Sequence, residues 1–390
     1  MMRKAVKAPM ICKTMKAPTR SIAARCMLLI IALLAAVPAQ AAFSYRVVYT
    51  APAAMVPSTQ TNFPVPIILN NANFKTVANG GHVQNSSGFD IVPYTDAALT
   101  TRITGCELEA YSATAGTGIL WVNIASLSSS ADTLVHVGYG DATISTNQCT
   151  TTGTWNANYV SVYHFGNGTT LSAADSTGTA NGTINAVTAA AGQLDGAASF
   201  STSSSYIYTA AYNPTSLTIE LWLNPSSLPG AGIYPIVISN LPTSLTNGWE
   251  VYLSASDGTP ANRFVFQVAN SSTYATASAN AAATAGTWVH VAGTFTGGTG
   301  TLYINGVAQT ATFSGATIGS SSEFITFATR PAATTLWAGS DDEVRISNVA
   351  RSADYLLTSY RSATFGTVSN EIAVGAGLKS GTLVTLGVGK

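Results

Sequence analysis

The stretch from Gly286 to Thr310, GTWVHVAGTFTGGTGTLYINGVAQT, constrains the fold more tightly than any other part of the chain. From Trp288 to Phe295 the side chains alternate, with Val289, Val291 and Phe295 on one face and Trp288, His290 and Thr294 on the other. That period of two defines a strand with two distinct faces. Gly297, Gly298 and Gly300 then turn the chain, and Leu302-Tyr303-Ile304 runs to Asn305-Gly306. Asn-Gly is the dipeptide best able to occupy the two positive-φ positions of a type I′ turn. Val307 to Phe313 leads back, so the segment predicts an antiparallel meander of three strands.

Charged residues make up only 9% of the 390-residue chain, which favours many short strands and turns over long amphipathic helices. The length points to two domains plus appendages. A formal net charge of zero hides an asymmetry. Seven of the seventeen Lys and Arg lie before residue 27, leaving ten against seventeen Asp and Glu in the remainder. A mildly acidic product without a basic patch is a poor partner for nucleic acid, whose phosphates require clustered Lys or Arg.

Residues 1–41 have the pattern of an export signal: a basic leader, an apolar run from Met27 to Val37, and Ala39-Gln40-Ala41 as a small-x-small cleavage site. The apolar run is too short to span a bilayer. Met15 offers an alternative start with a more ordinary leader. The expected mature chain begins at Ala42, carries no membrane span, and is destined for the periplasm, the cell surface or the medium. Cys106 and Cys149 are then its only cysteines. In an oxidising compartment they imply one disulfide, with two buried thiols as the alternative.

Between residues 42 and 156, strand-length runs at Phe63–Leu69, Phe89–Pro93, Glu107–Tyr111, Gly118–Ile124 and Thr133–Tyr139 are separated by turn residues, the spacing of a small β-sandwich. A second set, within 157–365, runs from Tyr159–Phe165 through Leu217–Leu223, Gly248–Leu253, Arg263–Val268 and the meander to Glu343–Ile346, enough strands for a two-sheet jelly roll. Ser352 to Tyr360 reads as a short helical segment. The chain from Ala363 on, including the C-terminal tail 366–390, is Gly-, Thr- and Val-rich and is expected to supply a final strand returning to the first domain.

The motif W-x-H-V-A-x-T-F followed by L-Y-I-N-G resembles the central hairpins of bacterial laminin-G-like domains, members of the concanavalin A-like lectin superfamily. Ala197-Ala198-Ser199-Phe200, Leu217 to Pro225, and Asp342 to Asn348 with Ala350-Arg351-Ser352 resemble other pieces of that family, in the same order. The resemblance implies an all-β chain in which a small sandwich precedes a concanavalin A-like jelly roll. Residues 42–156 resemble an uncharacterised bacterial domain that often precedes laminin-G-like ones.

The superfamily includes glycoside hydrolases, whose paired carboxylates alternate on one strand as E-x-D-x-x-E. No such segment occurs here, so no catalytic residue is assigned. Glu107 and Glu109 share a strand and read as a solvated face. His82, His136, His164 and His290 are scattered singly, without ligand spacing, and the mid-strand His136 and His290 read as hydrogen-bonded structural residues. No phosphate-binding glycine loop is present. Calcium is the one cofactor that the resemblance raises, and Asp175, Asp341 and Asp342 are its candidate ligands. Against it, alternation would send Asp342 and Glu343 to opposite faces and let Glu343 pair with Arg345.

Sugar recognition requires an exposed aromatic platform with hydrogen-bonding neighbours. Trp222 and Trp288 occupy strand positions that suit the core, which leaves Trp249, Glu250, Tyr252 and Tyr274 as ligand-binding candidates. The functional expectation is an exported, non-catalytic protein that binds a glycan or a cell-surface protein through loops of its lectin-like domain. A structural component of the cell envelope that binds only protein is the alternative, and a polysaccharide-active enzyme ranks below both.

Overall fold

Alternation with period two governs the whole chain, and the computed structural model shows what each alternating face meets. It describes residues 42–271, 273–330, 337–365 and 368–374. The expected leader and the tail beyond residue 374 lie outside the described residues. From Phe43 onward the chain is one compact unit.

Its first half contributes β1 (Tyr45–Ala51), β2 (Gln60–Asn70), β3 (Val92–Tyr94), β4 (Cys106–Ser112), β5 (Thr117–Leu127) and β6 (Thr133–Tyr139). These form a three-stranded sheet, ordered β2-β5-β4, facing a sheet that contains β1, β6 and β3. The late strand Ile372–Ala373 (β22) completes the second sheet by pairing antiparallel with β1, as expected of the tail. Val65, Ile67, Leu120, Val122, Val135 and Val137 fill the space between the sheets. Cys106 and Cys149 are joined in a disulfide across a sequence separation of 43.

The second half supplies β7 (Tyr159–Tyr163), β8 (Thr183–Asn185), β9 (Thr188–Ala191), β10 (Gly196–Phe200), β11 (Tyr206–Tyr208), β12 (Leu217–Pro225), β13 (Ile236–Ser239) and β14 (Gly248–Leu253). It continues with β15 (Phe264–Asn270), β16 (Thr273–Ser278), β17 (Val289–Thr296), β18 (Thr299–Ile304), β19 (Val307–Ala308), β20 (Thr326–Phe327) and β21 (Gly339–Ser347). A seven-stranded sheet runs β16-β15-β14-β13-β20-β11-β8. An eight-stranded sheet runs β19-β18-β17-β12-β21-β10-β9, with β7 also paired to β21. Ile219, Leu221, Trp249, Val251, Phe266, Val291 and Val344 pack between the two layers. The meander is β17, β18 and β19, and Asn305 (φ 52°) and Gly306 (φ 74°) form the positive-φ pair that the sequence requires there.

The eight-stranded sheet is covered on both sides. Along β12, Leu217, Ile219, Leu221 and Leu223 face the sandwich core, yet Thr218, Glu220 and Trp222 on the opposite face are also buried. The cover is the first sandwich together with the helix Ala353–Ser362, which Ser352 caps by accepting a hydrogen bond from the Tyr355 backbone N–H. Trp121 of β5 packs in one apolar cluster with Trp155, Tyr159 and Trp222, while Ala292 and Tyr303 join the core of the first sandwich. Burying each large side chain of this kind contributes roughly 1.5–3 kcal/mol. A seam of aromatic and charged side chains therefore runs between the two halves.

Candidate functional site

Two places bring functional side chains together: the solvent face of the seven-stranded sheet and the seam. On β14, Trp249, Val251 and Leu253 point into the core, while Glu250 and Tyr252 take the other face. Trp249 is completely buried, so the expectation of a surface platform at that residue is corrected. Its inward side follows from its period-two spacing with Val251 and Leu253, a signal present in the sequence. Glu250 is buried as well, held by Arg330 through bonds of 2.7 Å from Nε and 2.6 Å from Nη2, and its oxygens are not free for a ligand.

Tyr252 and Tyr274 remain accessible. Tyr274 is 61% exposed on β16, the edge strand of the sheet, opposite Ala269 of β15. Tyr252 is half-buried and meets the exposed Tyr234 edge-to-face at 6.2 Å. Burial, then the neighbouring Glu250 and Tyr234, raise the Tyr252 pKa against the pull of Arg330. In the sequence Tyr234 reads only as the first residue of a strand-length run, Tyr234–Ser239, and nothing in that run marks its ring as exposed.

In the seam, two strand irregularities re-aim carboxylates. Between Leu108 and Ala110 the β4–β5 register shifts, and Glu109 is the extra residue. Between Glu220 and Trp222 the β12–β21 register shifts too, opposite Glu343, whose φ is 52°. Bulges of this kind turn side chains out of simple alternation. Consequently Asp342, paired with the outward-facing Trp222, and Glu343 are not separated by the sheet, contrary to the expectation from alternation. Tyr163 of β7 pairs with Val344, which brings the next residue, His164, alongside Glu343.

The resulting group is tightly connected. His164 Nδ1 lies 2.7 Å from Glu343 Oε1 and 3.4 Å from Glu109 Oε2, and its Nε2 lies 3.6 Å from Glu107 Oε2. Trp121 Nε1 donates to Glu109 and Trp155 Nε1 to Glu107, each at 2.6 Å, and Ser176 Oγ donates to Glu107 at 2.7 Å. Arg345 Nη2 donates to Glu343 Oε2 at 2.6 Å, and its guanidinium lies over Trp121 at 4.7 Å. The Glu343–Arg345 pairing is as the sequence leads one to expect. The solvated face expected at Glu107 and Glu109 is not found: the Glu109 side chain is 3% exposed, because the second half of the chain covers it.

Burial works against a charged His164, but the carboxylates of Glu109 and Glu343, the close approach of Glu107 and the hydrogen bond to Glu343 outweigh it and hold its pKa well above the usual value. Glu343 is likewise pulled below its usual range despite burial, by His164 and Arg345. Burial, reinforced by Glu343, raises Asp342, and burial raises Glu109 in the same way against the pull of His164. His290, on the same face of the sheet, is pushed down to about 4 by burial, against the pull of Glu220 and with Arg345 adding to the fall.

The three aspartates expected to hold calcium do not converge on one another as a ligand set. Asp175 accepts bonds from the backbone N–H groups of Val162, Thr177, Thr179 and Ala180 and organises its own turn. Asp341 accepts from Trp337 Nε1, and Asp342 from the Leu194 backbone. Among the described residues, the group of His, Cys, Asp or Glu able to converge on one ion is Glu109, His164 and Glu343. No helix among the described residues is long and apolar enough to cross a membrane.

Residues 195–356 match a laminin-G family model described as the concanavalin A-like lectin/glucanases superfamily, and this part of the chain is a concanavalin A-like domain. No curated protein matches the chain. Among solved structures, domain 4 of AbnA, a GH43 extracellular arabinanase from Geobacillus stearothermophilus in complex with arabinotriose, is similar at 18% identity and a TM-score of 0.44, covering 53% of this chain and 99% of that one. The binding domain of Paraclostridial Mosquitocidal Protein 1 is similar at 15% identity and a TM-score of 0.44, covering 53% of this chain and 52% of that one. The receptor binding domain of botulinum neurotoxin type G gives 16% and 0.42, covering 53% and 51%. The chain thus spans about half the length of both toxin domains.

Proposed function

We propose that the chain is an exported, non-catalytic binding protein that recognises a glycan or a cell-surface partner through the solvent face and loops of its concanavalin A-like domain. The observation that carries this reading is the set of accessible tyrosines on that sheet: Tyr274 at 61% exposure on the edge strand and, on the same face, Tyr252 edge-to-face with the exposed Tyr234. Thr276, exposed two residues along β16 from Tyr274, adds a hydroxyl on the same side. Flat aromatic rings flanked by hydroxyl groups suit the apolar faces and hydroxyls of sugars. A non-catalytic role is supported by the engagement of Glu343, Glu107 and Glu250 with Arg, His, Trp or Ser partners inside the protein, away from any substrate.

The test is a glycan array probed with the full exported chain, run beside light scattering over a concentration series. Reproducible binding to a class of glycans supports the reading. A blank array with concentration-dependent self-assembly favours a structural component of the envelope, and turnover of an arrayed polysaccharide overturns the non-catalytic assignment.

A further inference from the structure

We propose that Glu109, His164 and Glu343 form a buried site for a divalent transition-metal ion of the zinc class, bridging the two halves of the chain. One ligand atom from each residue lies within 4.8 Å of the others. An imidazole nitrogen with carboxylate oxygens is a donor set suited to zinc and unlike the all-oxygen shell that calcium takes. Donor atoms around one tetrahedral zinc stand about 3.3 Å apart. His164 Nδ1 is already 3.4 Å from Glu109 Oε2 and 2.7 Å from Glu343 Oε1, so a small outward shift of Glu343 would open the centre.

Buried atoms without hydrogen-bond partners point independently to a missing occupant. Glu109 Oε1 and Asp342 Oδ1 have none, although the Glu109 side chain is 3% exposed and Asp342 is fully buried. Buried polar groups are almost always satisfied, and an orphaned carboxylate oxygen calls for a water or an ion. The surroundings have the form of an outer shell. His164 Nε2 is a further buried atom without a hydrogen-bond partner and faces Glu107 at 3.6 Å, a carboxylate placed where a short approach would fix the tautomer of a ligand bound through Nδ1. Trp121 holds Glu109 and Arg345 holds Glu343, each through the Oε2 atom. Both carboxylate ligands sit at strand bulges, which are over-represented where a side chain must be re-aimed.

The full chain is stripped with a chelator and titrated with zinc chloride, with metal content measured by mass spectrometry. One zinc per chain and a rise in Tm of about 5 °C at a hundredfold excess over Kd are expected. Cobalt(II) should give the visible bands of a four-coordinate nitrogen and oxygen site. His164→Ala and Glu109→Gln, shown to be folded by circular dichroism, should lose the stoichiometric ion, whereas His82→Ala, outside the cluster, should keep it. Well under one zinc per chain with no change in Tm overturns the proposal and leaves a protonated His164 as the occupant. Wild-type uptake by folded His164→Ala overturns it equally, and should that variant not fold, wild-type uptake by Glu109→Gln does so.

Discussion

Each of the two large sheets presents an arginine paired with a glutamate on the face turned away from the shared core, and the two faces have different fates. On the eight-stranded sheet, Arg345 and Glu343 are 6% and 0% exposed, under a second protein layer. On the seven-stranded sheet, Arg330 and Glu250 are 17% and 0% exposed, and Tyr274 on the edge strand of the same sheet stands in solvent. Identical alternation along a strand therefore yields a structural interior on one sheet and an open aromatic face on the other. What decides is the layer above, and that layer is supplied by residues far away in sequence.

The difference between the faces should show most strongly at Arg345. Arg345→Ala should cost about 3–5 kcal/mol, because it strands Glu220 as a buried charge and leaves Glu343 Oε2 without its partner, with His164 as the remaining counter-charge. Urea unfolding measures this, and Arg330→Ala should cost less, about 3 kcal/mol, since it strands one buried carboxylate, Glu250, at a site where the arginine itself is partly exposed. Equal losses would show that the two faces are not energetically distinct. Removing the Cys106–Cys149 bond as the double Ala variant should cost about 3–4 kcal/mol through loop-closure entropy, without moving residues of the tyrosine face.

A third expectation concerns pH. His290 has a folded pKa of about 4, below its ordinary 6.5, so the unfolded chain takes up the proton first as the pH falls. Stability contributed by this group is complete above pH 6.5 and is lost as the pH falls toward 4, by roughly 3 kcal/mol in all. Glu220, Arg345 and Tyr360 face the ring, and His290→Asn should flatten that portion of the stability profile if burial of the imidazole causes it. Smallest of all is Tyr274→Ala, which should change stability by less than about 0.5 kcal/mol because its side chain stands in water.

Much of the fold was legible. The meander, the Asn305-Gly306 turn and the Glu343–Arg345 pair all follow from period, turn chemistry or spacing, whereas the returning tail strand follows from the family resemblance. Trp249 was legible too, since its alternation with Glu250 sends it inward with Val251. The seam was not. A strand face that meets water and one that meets a second sandwich carry the same period, so Glu107 and Glu109 look solvated until their cover is seen. The bulge at Glu343 leaves no mark in composition, yet it places Asp342 and Glu343 where simple alternation would separate them.

The most direct measurement of the open face is glycan-array binding by the Tyr252→Ala/Tyr274→Ala double variant, with Tm recorded on the same preparation. The expected result is loss of the parent's glycan signal with Tm changed by no more than a few degrees. Parent-level binding by the folded double variant would contradict recognition through this face.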